Sequence, residues 1–191
     1  MNRRTFISKF TAGIAGITFL PGCRDSLKIT EIHEKPLRFG YMTDLHYADR
    51  DPAYGRFYRQ STLKAAAAVK TFNLQNLDFI IETGDYKDQS KPADEDSTIS
   101  YVREIEKVFQ KFNGPTYHAL GNHDMDSISK QQFLANIKNT GISADRSYYS
   151  FDAKGVHFIV LDANFHPDGT DFDRGNFNWT QSCIPDFELD W

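Results

Sequence analysis

The chain has two cysteines in 191 residues, Cys23 and Cys183. That is too few for a disulfide framework or a cysteine-rich metal site. It also lacks an excess of positive charge. Lys and Arg number 22 against 26 Asp and Glu, a net charge of −4. A duplex nucleic acid is therefore not an expected partner, because phosphate backbones select basic surfaces. Internal repeats and low-complexity segments are absent. What is present suits one globular domain: 40% apolar residues, of which many are aromatic, are enough for a core.

Long apolar runs are also missing. The longest early one, "TAGIAGITFL" (11–20), follows Arg3, Arg4 and Lys9 with no acid among them. About ten apolar residues are too few to span a bilayer, and a basic segment before them has the form of an export signal. The Arg3-Arg4 pair with Phe6 resembles a twin-arginine signal. The following "LPGC" resembles a bacterial lipobox, although Pro21 stands where a small residue is usual. These features predict residues 1–23 as a signal for export across a bacterial inner membrane, to the periplasm or cell envelope. Lipidation of Cys23 would add association with a membrane face through a lipid anchor. Residues 24–36 read as a polar linker, and 37–191 as the domain.

Within the domain, "LRFGYMT" (37–43) reads as a strand. Residues 58–75 read as a helix with Leu63, Ala66, Val69 and Phe72 on its apolar stripe. "LDFIIETGD" (77–85) is a second strand, apolar enough to be covered on both faces. A second helix over 97–112 would bury Ile99, Val102, Ile105, Val108, Phe109 and Phe112. "PTYHAL" (115–120) is a third strand. Ser129 with Gln132 forms a capping-box pattern that opens a helix through about Lys138. Residues 147–164 then switch to β-rich runs around Asp152-Ala153-Lys154-Gly155, a hairpin signal. Strand–helix–strand–helix–strand followed by a hairpin predicts an α/β sandwich with a parallel leading sheet.

Functional groups in such sheets gather where strands end. The first strand ends at Asp44-Leu45-His46, the second at Gly84-Asp85 and the third at Gly121-Asn122-His123-Asp124. Carboxylates, an amide oxygen and imidazoles form a mixed oxygen and nitrogen set, better suited to zinc, iron or manganese than to calcium or magnesium. A carboxylate has two oxygens, and Asp85, central in chain order, is the natural bridge between two ions. The run Asp168, Asp171, Asp173 reads as a solvated turn, since it lacks the closing Glu of a calcium loop. His118 and His157 lie inside strands and read as structural.

The ordered motifs D-x-H (Asp44, His46), G-D-x-x-D (Gly84, Asp85, Asp88) and G-N-H-D (Gly121 to Asp124) resemble the calcineurin-like metallophosphoesterase superfamily. The resemblance covers about residues 37–165. "RFYRQSTLKAAAAVKTFN" and "YYSFDAKGVHFIVLDAN" are similar to its branch of ADP-ribose/CDP-alcohol diphosphatases. The resemblance implies an α/β/β/α sandwich, incomplete at the C-terminal side, and a hydrolase of a phosphomonoester or nucleotide-type diphosphate. It further implies two metal ions (manganese, iron or zinc) with a hydroxide bridging them as nucleophile. Asp44 and His46 would bind the first ion, Asp85 both and Asn122 the second. His123 would serve as general acid or charge stabiliser, with Asp88 orienting it. Arg56 and Arg59 are candidates for meeting a small phosphorylated substrate. The family completes its site with a later His and a G-H-x-H segment, neither of which occurs here. That departure leaves a second expectation open: a membrane-anchored, non-catalytic binding module with a degenerate metal site.

Overall fold

A computed structural model of the chain describes residues 36–176 and 178–190. The expected export signal, Cys23 and all but the last residue of the 24–36 linker lie outside the described residues.

Three parallel strands, β1 (Phe39–Met42), β2 (Phe79–Thr83) and β3 (Thr116–Ala119), form one sheet in the order β1-β2-β3. Two helices, α1 (Ser61–Asn73) and α2 (Glu95–Phe109), make the crossovers and pack on each other. β2 separates two cores, as its continuous apolar run predicts. Ile80 joins Val69, Val102, Ile105 and Phe109 on the helical side. Phe79 joins Tyr117, Phe151 and Phe158 on the other side, its ring 5.0–5.6 Å from each of theirs. Tyr117 comes from β3, and Phe151 and Phe158 from the hairpin of β4 (Tyr149–Ala153) and β5 (Val156–Val160), so the hairpin covers the sheet's second face. Its turn, Lys154-Gly155, has positive φ at both residues, the backbone a tight two-residue hairpin needs. The described residues thus show a helical layer, a parallel sheet and a hairpin layer.

Two expectations need correction. Of the expected stripe Val69 is buried and Ala66 and Phe72 are half-buried, but Leu63 is 73% exposed, and α1 buries Ser61 and Ala65 in its place. Four consecutive alanines carry little phase information, so packing of the small Ala65 against the sheet sets the face. The capping box at Ser129 is present, with Ser129 Oγ accepting from Gln132 N and Gln132 Oε1 accepting from Ser129 N. The helix it opens, α3 (Lys130–Leu134), stops short of Lys138. The Lys138 N–H is taken by the Glu106 carboxylate at 3.0 Å, and that tertiary bond removes the residue from the helical ladder.

Glu106 is the polar centre of the helical layer. Its carboxylate accepts from Tyr86 Oη (2.9 Å) and Gln110 Nε2 (2.8 Å) and lies 3.1 Å from His118 Nε2. Burial pushes its pKa up, but the charge and hydrogen bond of His118, with the Tyr86 and Lys138 donors, outweigh it and hold the carboxyl below its ordinary value. A depressed folded-state pKa stabilises above the unfolded pKa and loses that stability as pH falls through the folded value. Glu106→Gln should therefore cost about 1.5–3 kcal/mol at pH 7. Denaturant titrations should show the gap between the two proteins closing as pH falls below the ordinary carboxylate range.

Candidate metal centre and active site

The exits of β1 and β2 run side by side beyond the sheet. Asp44 N donates to Gly84 O (3.1 Å), His46 N to Asp85 O (2.8 Å) and Tyr47 N to Tyr86 O (3.2 Å). Asp44, His46 and Asp85 all have left-handed backbone, with φ of 56°, 45° and 56°. Such conformations persist in non-glycine residues when surrounding bonds fix them, and they concentrate at functional sites. Here they aim three side chains at one point. His46 Nε2 stands 3.5 Å from Asp44 Oδ1 and 3.6 Å from Asp85 Oδ2.

The β3 exit is clamped to the same place. Asp124 is fully buried and accepts three backbone N–H groups, from Gly121 (2.8 Å), Tyr86 (2.9 Å) and Asp85 (3.2 Å). Burial pushes its pKa up to about 7, against the Lys87 charge and its N–H donors. Burial, with the Asp124 charge beside it, pushes Glu82 well above the carboxylate range. The 3-10 turn Asn122–Met125 follows, and His123 N donates to Asp85 Oδ1 at 3.0 Å. Asn122 opens this turn, half-buried, next to the residue whose N–H grips Asp85.

The imidazole of His123 lies 5.0 Å from that of His46, edge to face. Its Nδ1 is 3.9 Å from Asp126 Oδ2 and 2.9 Å from Asp88 Oδ1. Those two carboxylates, Asp126 and the closer Asp88, raise the His123 pKa to about 10. The ring is then a cation at neutral pH and can donate a proton. His46 is the opposite case. Burial, then the Arg56 charge, lowers its pKa, so the ring is neutral and keeps a lone pair. Asp88 lies between the two rings, and Arg56 Nη1 is 3.2 Å from its Oδ2. Burial works to raise the Asp88 pKa, yet the bond and charge of His123, with the Arg56 charge, bring it below the ordinary value.

The donor set fits a metal ion. Two ligands on one ion with bonds near 2.1 Å stand about 3–3.5 Å apart. The separations around His46 Nε2 match that spacing and are too long for hydrogen bonds. The buried Nδ1 of His46 also has no hydrogen-bond partner. Ligand atoms of His46, Asp85 and His123 all lie within 4.8 Å of one another.

Two clefts flank this cluster. One, of about 320 Å³, is lined by Asp44, His46, Arg56 and Lys64. The other, of about 450 Å³, is lined by Arg50, Arg56, Lys91, Asp88, His123 and Asp126. Arg56 lines both. Arg59 lines neither: it binds Asp49 and, at 2.7 Å, Asp51, so its expected contact with substrate is corrected to a surface ion-pair network. The loop acids also diverge. Asp168 accepts from Thr170, Asp171 pairs with Lys130 and Asp173 with Arg174.

A family model described as calcineurin-like phosphoesterase matches residues 37–184. The chain belongs to that family. Among curated relatives, a manganese-dependent ADP-ribose/CDP-alcohol diphosphatase of Arabidopsis thaliana is 33% identical over 129 residues, covering 64% of this chain and 40% of the relative. The protein of the same description from Oryza sativa subsp. japonica is 35% identical over 132 residues, covering 65% and 40%. The chain therefore spans about 40% of the length of these relatives. In structure, a dimetal phosphatase from Danio rerio superposes with a TM-score of 0.58 at 21% identity, over 75% of this chain and 50% of that one. That likeness shows that the calcineurin-like chain shares its fold.

Three residues of the site, Lys87, Asp126 and Asn164, are not among those expected from the sequence. Lys87 is fully buried; its Nζ donates to His123 O at 2.7 Å and pairs with Asp126. The alternation Asp85, Lys87 along an extended segment could have placed Lys87 on an inward face. Asn164 donates through Nδ2 to Leu120 O (2.9 Å), bracing the β3 exit from the hairpin layer.

Proposed function

We propose that this chain carries the metal-binding and proton-donating part of a phosphoric ester hydrolase that cleaves nucleotide-type diphosphates or related phosphomonoesters. The observation that carries the reading is the convergence of Asp44, His46 and Asp85 at ligand spacing, with the His123 ring 5.0 Å from that of His46. The names of the relatives support manganese as the metal and ADP-ribose or a CDP-alcohol as substrate, and favour a hydrolase over a binding module.

In this proposal Asp44 and His46 would hold one ion, Asp85 would serve both, and Asn122 would serve the second. The ions would supply Lewis acidity and activation of water at neutral pH. Arg56 meets a phosphate oxygen from its position between the clefts. Asp88 is a positioning residue: its Oδ1, 2.9 Å from His123 Nδ1, would orient that side of the ring and leave the opposite ring nitrogen for the leaving-group oxygen. His123, kept cationic, gives its proton to that oxygen or balances its charge.

The test is turnover of ADP-ribose and p-nitrophenyl phosphate with added manganese. His123→Gln should lower kcat by about 10²–10⁴-fold, the usual contribution of a positioned acid. The loss should be larger for alkyl phosphomonoesters, whose alkoxide leaving groups are more basic than p-nitrophenolate and need the proton more. An unchanged kcat on every substrate would remove His123 from the proposed role.

A further inference from the structure

The larger cleft contains two cations that the fold leaves without an anion. Its carboxylates are already matched: Asp88 with Arg56 and His123, and Asp126 with Lys87. Arg50 and Lys91 have no carboxylate within ion-pair distance among the described residues. The acids beside Arg50 in sequence, Asp49 and Asp51, are both taken by Arg59. Arg50 is nonetheless held in place. Its guanidinium lies 4.3 Å from the centroid of the buried Tyr58 ring, and Nη1 donates to Gln89 O at 3.3 Å. One bond to a carbonyl leaves most of the guanidinium N–H groups free. A planar cation immobilised on an aromatic face, with its fork unused, is suited to a phosphate.

We infer that Arg50, assisted by Lys91, forms a second phosphate subsite that receives the departing phosphate of a substrate with two linked phosphates. The inference rests on the proposed hydrolase reading and extends it to a preference for diphosphates over monoesters. The placement follows from the cleft: His123, the proposed donor to the leaving oxygen, lines the same cleft as Arg50 and Lys91. The smaller cleft, on the Asp44 and His46 side, lacks both. A phosphate at the metal-ligand cluster has Arg56 at its flank. A second phosphate linked to it through the leaving oxygen enters the cleft that Arg50 lines.

Binding of inorganic pyrophosphate and of orthophosphate to the full chain, by calorimetry at fixed free manganese, tests this. The wild-type chain should prefer pyrophosphate. Arg50→Gln should weaken pyrophosphate about 10-fold more than it weakens orthophosphate, the scale of one lost charge-assisted contact. Arg50→Lys should recover part of the loss, and Lys91→Gln should show a smaller loss of the same kind. In kinetics, Arg50→Gln should raise KM for ADP-ribose about 10-fold more than KM for p-nitrophenyl phosphate. Equal weakening of both anions, or no preference for pyrophosphate in the wild type, would overturn the subsite. A chain that prefers pyrophosphate through Arg50 yet hydrolyses no ester would keep the subsite and defeat the hydrolase reading.

Discussion

Asp85→Asn should abolish hydrolysis, with a fall in kcat/KM of at least about 10³-fold, while the protein stays folded. The two halves of that expectation have separate causes. Asn keeps an oxygen in the place of Asp85 Oδ1, so it can still accept the His123 N–H that spans 3.0 Å. It also keeps the left-handed backbone, which Asn tolerates as well as Asp does. The substitution removes the second anionic oxygen, Oδ2, which stands 3.6 Å from His46 Nε2. One shared carboxylate contributes charge to both proposed ions. A metal site supplies several kcal/mol of charge stabilisation, and about 4 kcal/mol corresponds to 10³ in rate. Manganese binding should weaken in parallel. Circular dichroism and thermal unfolding of the metal-free protein should change little. A variant that keeps wild-type turnover would show that Asp85 is not shared between ions.

Gly121→Ala should damage the same site by a different route. The backbone at Gly121 is extended, so no conformational freedom is at stake. Space is. A Cβ there would lie 2.3 Å from both Asp85 N and Asp85 Oδ1, and 2.9 Å from Gly84 C. None of these atoms can give way cheaply: Asp85 N is tied to Asp124, and Asp85 Oδ1 to His123 N. Overpacking of this kind costs about 1–3 kcal/mol or more, which lowers Tm by roughly 3–10 °C in a chain of this size. The exits of β2 and β3 must then separate, and a displacement near 1 Å in a catalytic site costs about 10²-fold in rate. Gly141→Ala is the control. Gly141 has φ of 76° and open space around it. Alanine there should cost about 1–2 kcal/mol through left-handed strain and leave kcat/KM intact. Equal activity of the two variants would show that the close approach of Gly84 and Gly121 does not hold the site.

Much of this arrangement is legible in the sequence because strand ends are. "FII", flanked by Leu77 and Gly84, could only be a strand covered on both sides, and its exit had to present Asp85. The three motifs therefore predict a common location once the sheet is parallel. Side-chain partners are less legible. Arg56 and Arg59 are three residues apart and chemically alike, yet one lies between the clefts and the other binds Asp49 and Asp51. Loop geometry after Pro52 decides between them, and periodicity does not reach into loops. Lys87, Asp126 and Asn164 were hidden for a related reason. Their roles depend on contacts across 36 residues or more, to backbone carbonyls or carboxylates that no local pattern marks. Leu63 shows a third limit: in an alanine-rich helix, a large apolar residue need not mark the buried face.

The central claim is that the tips of three neighbouring parallel strands hold a pair of cations with Asp85 between them. Anomalous diffraction at the manganese edge, from crystals grown with manganese, tests it most directly. Two peaks about 3.5–4 Å apart are expected, one within bonding distance of Asp44, His46 and Asp85, the other within bonding distance of Asp85 and Asn122. Peaks that avoid Asp85, or a single ion held by surface acids such as Asp168 or Asp173, would contradict it.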